Sequence, residues 1–252
     1  MDVRKYLNRI GIDDEDLMPT ADLLRRLQHQ HLLHVPFENL DIHWKNRIVP
    51  DTGRFYEKVV ENRRGGFCYE LNGLFNELLR EIGFKTKLVS ARVATGDGEF
   101  SREYDHAAII AGAGGEEYLT DVGFGAFTAE PLKLELGLEQ EDATGKYVVR
   151  EHEDGYLIVL KDGVPEYIFK PIARELTEFA EMCDFHQTSP ESHFTRGKVC
   201  SLMTVGGRKT LRDNRFIVTI GTEKTETEIG SEQEFDEMLK REFGIVRNLP
   251  TK

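Results

Sequence analysis

Apolar positions recur at helical spacing in the first third of the chain and at alternating spacing beyond it. Leu71, Leu74, Phe75, Leu78, Leu79 and Ile82 keep the i, i+3, i+4, i+7 rhythm of one buried helical face, and Gly83 stops it, so a helix begins at or just before Cys68. Further helices are predicted over Val3 to Ile10, from Thr20 through Leu23, Leu24, Leu27 and His31 until Pro36 closes the segment, and over Thr52 to Asn62. From Thr86 the pattern turns strand-like, with Lys87 to Val93, a strand opening at His106, another over Tyr118 to Gly123, and alternation over Pro131 to Leu136. Gly112 to Gly115 supplies a turn that pairs the His106 strand with its successor as a hairpin. Glu153-Asp154-Gly155 and Lys161-Asp162-Gly163 separate strands over Lys146 to Glu151, Tyr156 to Leu160 and Glu166 to Phe169, the pattern of an antiparallel meander or small barrel. A helix over about Arg174 to Phe185 follows. Strands over Val199 to Thr204, Arg208 to Arg212 and Arg215 to Ile220 come next, and the capping box Ser231-Glu232-Gln233-Glu234 opens a last helix through Phe243. Helices, then strands, then a mixed tail predict an α+β protein rather than alternating βαβ units.

The chain of 252 residues is long enough to bury a sizeable core in one large domain or two to three small ones. Its net charge of −12, from 33 basic and 45 acidic side chains, argues against nucleic acid or an anionic membrane as the main partner and for a small molecule. Three cysteines, Cys68, Cys183 and Cys200, with no CxxC spacing, suggest neither a disulfide framework nor a zinc cluster, and point to a reducing compartment. The first residues lack the apolar core of a signal peptide and no run approaches about 18 apolar residues, so a cytoplasmic protein is expected. His29, His31 and His34 share one helix without i, i+4 spacing, and His43, His152, His186 and His193 lack matching ligands, so no metal is predicted. The acidic stretch from Glu223 to Glu242 reads as a solvated face.

Position gives Cys68 its chemical interest. Unpaired N–H groups and the positive end of the helix dipole favour a thiolate, and such sites can bring a cysteine pKa from about 8.5 to roughly 3.5–7.5. A small core cysteine is the plain alternative. The preceding pair Gly65-Gly66, which ordinary packing does not call for, favours the nucleophile. A thiolate needs a base and a group to orient it. His106 and Asp121 stand on adjacent predicted strands, where the hairpin can make them cross-strand partners; otherwise each is an ordinary strand-edge or turn residue.

At this point the chain resembles the arylamine N-acetyltransferases. Val35-Pro36-Phe37-Glu38-Asn39-Leu40, Arg64-Gly65-Gly66-Phe67-Cys68, Asp121-Val122-Gly123-Phe124-Gly125 and Thr188-Ser189-Pro190-Glu191-Ser192-His193-Phe194 are similar to four motifs of that family, in its order and across most of the chain. The resemblance implies an N-terminal helical bundle carrying the nucleophile (1–84), a central antiparallel β-barrel carrying His and Asp (85–186) and a C-terminal α/β lid (187–252), around a papain- or transglutaminase-like catalytic core. It implies a Cys68, His106, Asp121 triad and ping-pong acetylation of arylamines and arylhydrazines by acetyl-coenzyme A, with no permanently bound cofactor. Phe37, Val93 and Phe124 match positions lining the family's acceptor pocket. Gly125 and Ala126, where the family has a second glycine in place of the alanine, and Thr188, Ser189, Gly206 and Gly207 are candidate coenzyme A contacts. Other readings remain open: a triad cysteine hydrolase or transglutaminase-like enzyme, an amide synthase acting on a larger acyl chain, and a binding module in which Cys68 is inert. Oligomeric state, acceptor and acyl length are not set by the residues.

Overall fold

A computed structural model describes residues 1–14 and 17–247. The chain opens with α1 (Val3–Arg9) and α2 (Ala21–His34), each started by a side-chain cap: Asp2 accepts from Lys5 N–H and Thr20 from Leu23 N–H. Val35 is extended before Pro36, as the proline ring requires, and the chain leaves α2 into the short strand β1 (Phe37–Glu38). Then come α3 (Leu40–Trp44), α4 (Thr52–Tyr56), which runs into a π-helical turn over Glu57–Glu61, and α5 (Cys68–Ile82), ended by Gly83 at φ 109°.

The middle of the chain is an eight-stranded antiparallel sheet of β2 (Lys85–Val93), β3 (His106–Ala113), β4 (Glu116–Thr120), β5 (Leu132–Lys133), β6 (Glu139–Asp142), β7 (Gly145–Glu151), β8 (Leu157–Lys161) and β9 (Val164–Phe169). Their order is β5-β4-β3-β2-β9-β8-β7-β6. The Gln140 side chain bridges the two edges, accepting from Lys133 N–H and donating to Lys133 C=O, so the sheet is a nearly closed barrel. Its interior holds Val89, Ala91, Ala108, Ile110, Tyr147, Val159, Tyr167 and Phe169. The opposite face of β3, with Ala107, Ile109 and Ala111, packs against α5 in the helical core. Being buried on both faces is why β3 reads as an unbroken apolar run.

After the barrel, α6 (Ala180–Thr188) returns to the helical core, where Phe179, Met182 and Cys183 join Tyr69 and Leu74. Packing therefore puts this segment with the helices of the first third rather than with the barrel that precedes it. The tail forms β10 (Val199–Thr204), β11 (Gly207–Arg212), β12 (Arg215–Ile220), β13 (Glu223–Glu228) and α7 (Glu232–Phe243). These strands make a second sheet, ordered β1-β10-β11-β12-β13, so Phe37 of the first third pairs with Ser201 of the last. Among the described residues no helix is long and apolar enough to cross a membrane.

Three elements differ from expectation. The strand over Pro131 to Leu136 shrinks to two residues, because Glu135 N–H turns back onto Lys133 C=O and Gly137 adopts φ 78°. The helix from Arg174 begins as a 3₁₀ turn over Leu176–Phe179, since Arg174 N–H is taken by Leu88 C=O of the barrel. Glu223–Glu228, read as part of a solvated face, is the edge strand β13, exposed throughout and charged in the way that discourages edge-to-edge pairing.

Candidate active site

The start of α5 is held by charge and close packing. Phe67 at its N-cap has no capping oxygen, and the Glu70 carboxylate accepts the Phe67 N–H at 3.1 Å instead. Lys58 in turn holds Glu70 at 2.8 Å and Asp41 at 2.7 Å, while Arg64 reaches Glu38 at 2.6 Å and Asp41 at 3.1 Å. Burial pushes the Glu70 carboxyl up to about 7, against the pull of Lys58. The glycine pair has a packing reason after all. A Cβ on Gly65 would sit 1.9 Å from Pro36 O, and one on Gly66 would sit 2.7 Å from Glu70 Cβ. Gly66 exchanges backbone hydrogen bonds with Pro36 and Glu38, so two of the motifs read from the sequence are joined side by side.

Cys68 opens α5 at 3 % exposure. Burial pushes its thiol well above the ordinary value, and the carboxylates of Asp105 and Asp121 add to this; only the Ala107 backbone N–H pulls towards the thiolate. Desolvation thus opposes the helix-start field that favours the thiolate at this sulfur.

His106, the first residue of β3, shares the barrel-interior side of that strand with Ala108 and Ile110, and its ring packs on Phe124 (centroids 5.0 Å) and Tyr167 (5.5 Å). Its Nε2 lies 2.7 Å from Asp121 Oδ2, which leaves Nδ1 as the ring's other nitrogen for proton exchange. Asp121 follows directly on β4, where Thr120 opposes Ile109 of β3, so the hairpin delivers its carboxylate diagonally to the imidazole. The carboxylate is buried and satisfied. Oδ1 accepts from Asn72 Nδ2 at 2.8 Å and from Gly123 N–H at 2.9 Å, and the Tyr167 hydroxyl approaches Oδ2 at 3.4 Å. Asn72 also donates to Ala107 C=O and accepts from Val122 N–H, stitching α5 to both strands of the hairpin. From α2, Gln28 accepts the Asp121 N–H and the Thr120 hydroxyl.

Gly123 must be glycine, since a Cβ there would come within 2.9 Å of Cys68 Cα and 2.8 Å of Asn72 Nδ2. The sequence reading missed Asn72, Gln28 and Tyr167. Asn72 alone carried a signal: it stands at i+4 from Cys68 and so on the same helical face.

A cleft of about 600 Å³ opens beside this group, lined by Phe37, Phe124, Gly125 and Ala126 among others. Val93 sits opposite Tyr167 in the β2–β9 ladder, and antiparallel partners project to the same face. Thr188 and Ser189, at the end of α6, are not among the residues that line this cleft, and the Thr188 hydroxyl donates to Asp184 C=O. Gly206 and Gly207 form the β10–β11 turn, and a Cβ on Gly207 would strike Thr219 O at 2.1 Å, so its need is steric. A larger cavity of about 760 Å³ lies over Lys58, Arg64 and Glu70; neither it nor the smaller cleft has Cys68, His106 or Asp121 among its walls, and Phe124, packed on His106, is what joins the smaller one to them.

The sequence profile of the N-acetyltransferase family matches residues 20–250. Arylamine N-acetyltransferase 1 of Homo sapiens is 30 % identical, over 97 % of this chain and 94 % of its own length. Among solved structures, an arylamine N-acetyltransferase of Bacillus cereus, described as having a Cys-His-Glu catalytic triad, superposes with a TM-score of 0.89 at 27 % identity, covering 98 % of this chain and 100 % of its own. The Mycobacterium marinum enzyme in complex with CoA superposes with a TM-score of 0.87 at 28 % identity, covering 97 % and 93 %. With a profile match over most of its length and relatives that span it almost from end to end, the chain belongs to the arylamine N-acetyltransferase family.

Proposed function

We propose that the protein transfers an acetyl group from acetyl-coenzyme A to arylamines and arylhydrazines by a ping-pong route through acetyl-Cys68. His106 takes the Cys68 proton as the sulfur attacks the thioester carbonyl, a new C–S bond forms, the old one breaks, and the proton passes to the departing coenzyme A sulfur. In the second half the amine nitrogen attacks the acetyl-cysteine, the C–S bond breaks, and an amine proton returns through His106 to Cys68. Asp121 fixes the imidazole and stabilises its cationic form.

The observation that carries this reading is the His106–Asp121 contact of 2.7 Å, held by Asn72 one turn along α5 from Cys68, whose backbone packs against Gly123. Phe124 and Tyr167 pack on the histidine with Phe127 behind them, an apolar surface that favours transfer to an amine over hydrolysis by water. Phe37, Val93 and Phe124 are assigned to the acceptor, and Gly125 and Ala126 to the donor's reactive end. The acetyl group on the sulfur identifies the route. Intact mass spectrometry after acetyl-coenzyme A alone should show one acetyl adduct, lost on adding an arylhydrazine and never formed by Cys68→Ala. Acceptor-dependent thiol release that persists in Cys68→Ala overturns the covalent mechanism.

A further inference from the structure

The aromatic surface over His106 is carried by a loop, residues 122–130, rather than by a strand. Phe124 touches the imidazole with ring centroids 5.0 Å apart. Phe127 packs behind it on Phe124, Tyr147 and Tyr167, at 5.3, 5.3 and 5.4 Å, and Gly125 between the two phenylalanines takes φ 97°. Loops are the mobile parts of a fold, so these rings stay in place only if both ends of the segment are held. Its start is tied to the site itself: Val122 N–H donates to Asn72 Oδ1 and Gly123 N–H to Asp121 Oδ1, each at 2.9 Å.

Its end is tied to the edge of the barrel. Asp142, the last residue of β6, turns Oδ2 to the loop, accepting the Ala129 N–H at 2.7 Å and the Glu130 N–H at 3.2 Å, with the Thr128 hydroxyl at 2.7 Å. Its Oδ1 accepts the N–H and the hydroxyl of Thr144, at 2.7 and 2.6 Å, in the turn that leads into β7. Burial works against the charge, yet the hydrogen bonds from Thr144, Thr128 and Ala129 hold the carboxyl below its usual value. Both oxygens face N–H donors, so an amide of the same shape would set an NH₂ group against one of them whichever way it turned. From α2, the fully buried Gln28 spans the loop, accepting the Asp121 N–H and donating to Thr128 C=O, both at 3.3 Å.

We propose that Asp142 is a positioning residue of the acetyl transfer: by holding the end of the 122–130 loop it keeps Phe124 and Phe127 packed over His106, and so sets how the acetyl-enzyme divides between amine and water. The proposal rests on the reading of Cys68 as the carrier of the acetyl group. In the competing step water attacks the acetyl-cysteine carbonyl, a C–O bond forms and the C–S bond breaks. Acetate leaves, one water proton returns through His106 to Cys68 and the other goes to solvent. Transfer and hydrolysis thus use the same sulfur and the same imidazole, and differ in which nucleophile reaches the carbonyl. A closed apolar surface disfavours water at that point.

The test follows acetyl-enzyme, freed of donor by gel filtration, by intact mass spectrometry with and without an arylhydrazine. Asp142→Asn should raise the ratio of acceptor-independent to acceptor-dependent loss of the acetyl group about tenfold, since a misplacement of about 1 Å can change a rate by about 10². The ratio is taken within one acetylated population, so a fraction of unfolded protein does not move it. Gln140→Ala is the control: Gln140 stands two residues before Asp142 on β6 and ties the same barrel edge to Lys133, with no hydrogen bond to residues 122–130 among the described residues. It should lose stability and leave the ratio near that of wild type. Thr128→Val, a smaller cut in the same contact, should move the ratio in the direction of Asp142→Asn by a smaller factor, and no movement there overturns the proposal even where Asp142→Asn fails to fold. An unchanged ratio in folded, acetylated Asp142→Asn, or an equal change in Gln140→Ala, also overturns it. If wild type takes no acetyl group on Cys68, the acyl-transfer reading itself falls and the proposal with it; an acetylated wild type whose ratio ignores both loop substitutions defeats the proposal alone.

Discussion

Two histidine–carboxylate pairs stand almost in contact, and the proposed chemistry uses only one of them. His106 meets Asp121 at 2.7 Å; His186 meets Asp105, the residue just before His106, at 3.1 Å. The second pair even has a hydroxyl in the nucleophile's place, Ser192 Oγ at 3.0 Å from His186 Nδ1. Yet that oxygen accepts the Phe194 N–H and caps the turn His193–Thr195, and His186 also touches Asp105 C=O at 3.3 Å while packed among Tyr69, Phe185 and Phe194. Its contacts are those of a clamp, tying α6 and the segment after it to the residues that lead into β3. The His106 ring instead has one nitrogen with no hydrogen bond among the described residues and lies against Phe124, a wall of the cleft. Residue types alone do not separate the two pairs; the partner of the second ring nitrogen and the access of the ring do.

The largest expected effects lie in the first pair. His106→Gln removes the proton carrier from both half-reactions, so the rate of Cys68 acetylation in rapid-mixing experiments should drop by about 10²–10⁴-fold. Asp121→Asn keeps an acceptor for one of Asn72 and Gly123 but loses the charge facing the imidazolium, and should cost a similar factor, up to about 10⁴, in kcat. A loss under tenfold in either would place catalysis elsewhere and dissolve the contrast.

His186→Gln sharpens the comparison from the other side. It leaves Ser192 and Asp105 short of a buried partner, so urea denaturation should show a stability loss of about 1–3 kcal/mol. Acetylation of Cys68 should stay within about fivefold of wild type, far short of the loss expected from removing a proton carrier. A loss of acetylation as deep as that of His106→Gln would make the second pair part of the chemistry.

How much of this was legible beforehand follows from the range of the interactions. Helix α5 and the β3–β4 hairpin were readable because local periodicity and the turn at Gly114 and Gly115, both at positive φ, determine them. The juxtaposition of Cys68, His106 and Asp121 came from chemical logic and family resemblance. The support beneath it was hidden: Gln28 acts on Asp121 from 93 positions away, and β1 joins a sheet whose other strands begin 161 residues later. The short β1 and the charged β13 carry too little apolar pattern to be seen alone. The burial of the thiol was equally hidden, because a helix start is a local feature whereas the cover over the sulfur is made by the whole fold.

A third histidine gives the limiting case, a buried ring with no carboxylate at all. His31 is fully buried between Tyr6 and Phe75, and neither ring nitrogen has a hydrogen-bond partner among the described residues. Burial, helped by the positive charge of Arg9, lowers its pKa from 6.5 to about 3. Between those values the unfolded chain binds a proton that the folded chain refuses. The stability this histidine allows is therefore complete above about pH 6.5 and lost as pH falls towards 3, by at most about 1.4 kcal/mol per unit. His31→Leu abolishes the difference, so urea midpoints of variant and wild type should diverge on acidification, reaching about 2 kcal/mol in favour of the variant by pH 5. Acetylation of Cys68 should not change, because His31 lies in the helical core on a ring stack that does not include His106. Parallel pH profiles for the two proteins would mean that His31 takes up its proton without unfolding. The contrast between partnered and unpartnered imidazoles would then have to be redrawn around water reaching the core.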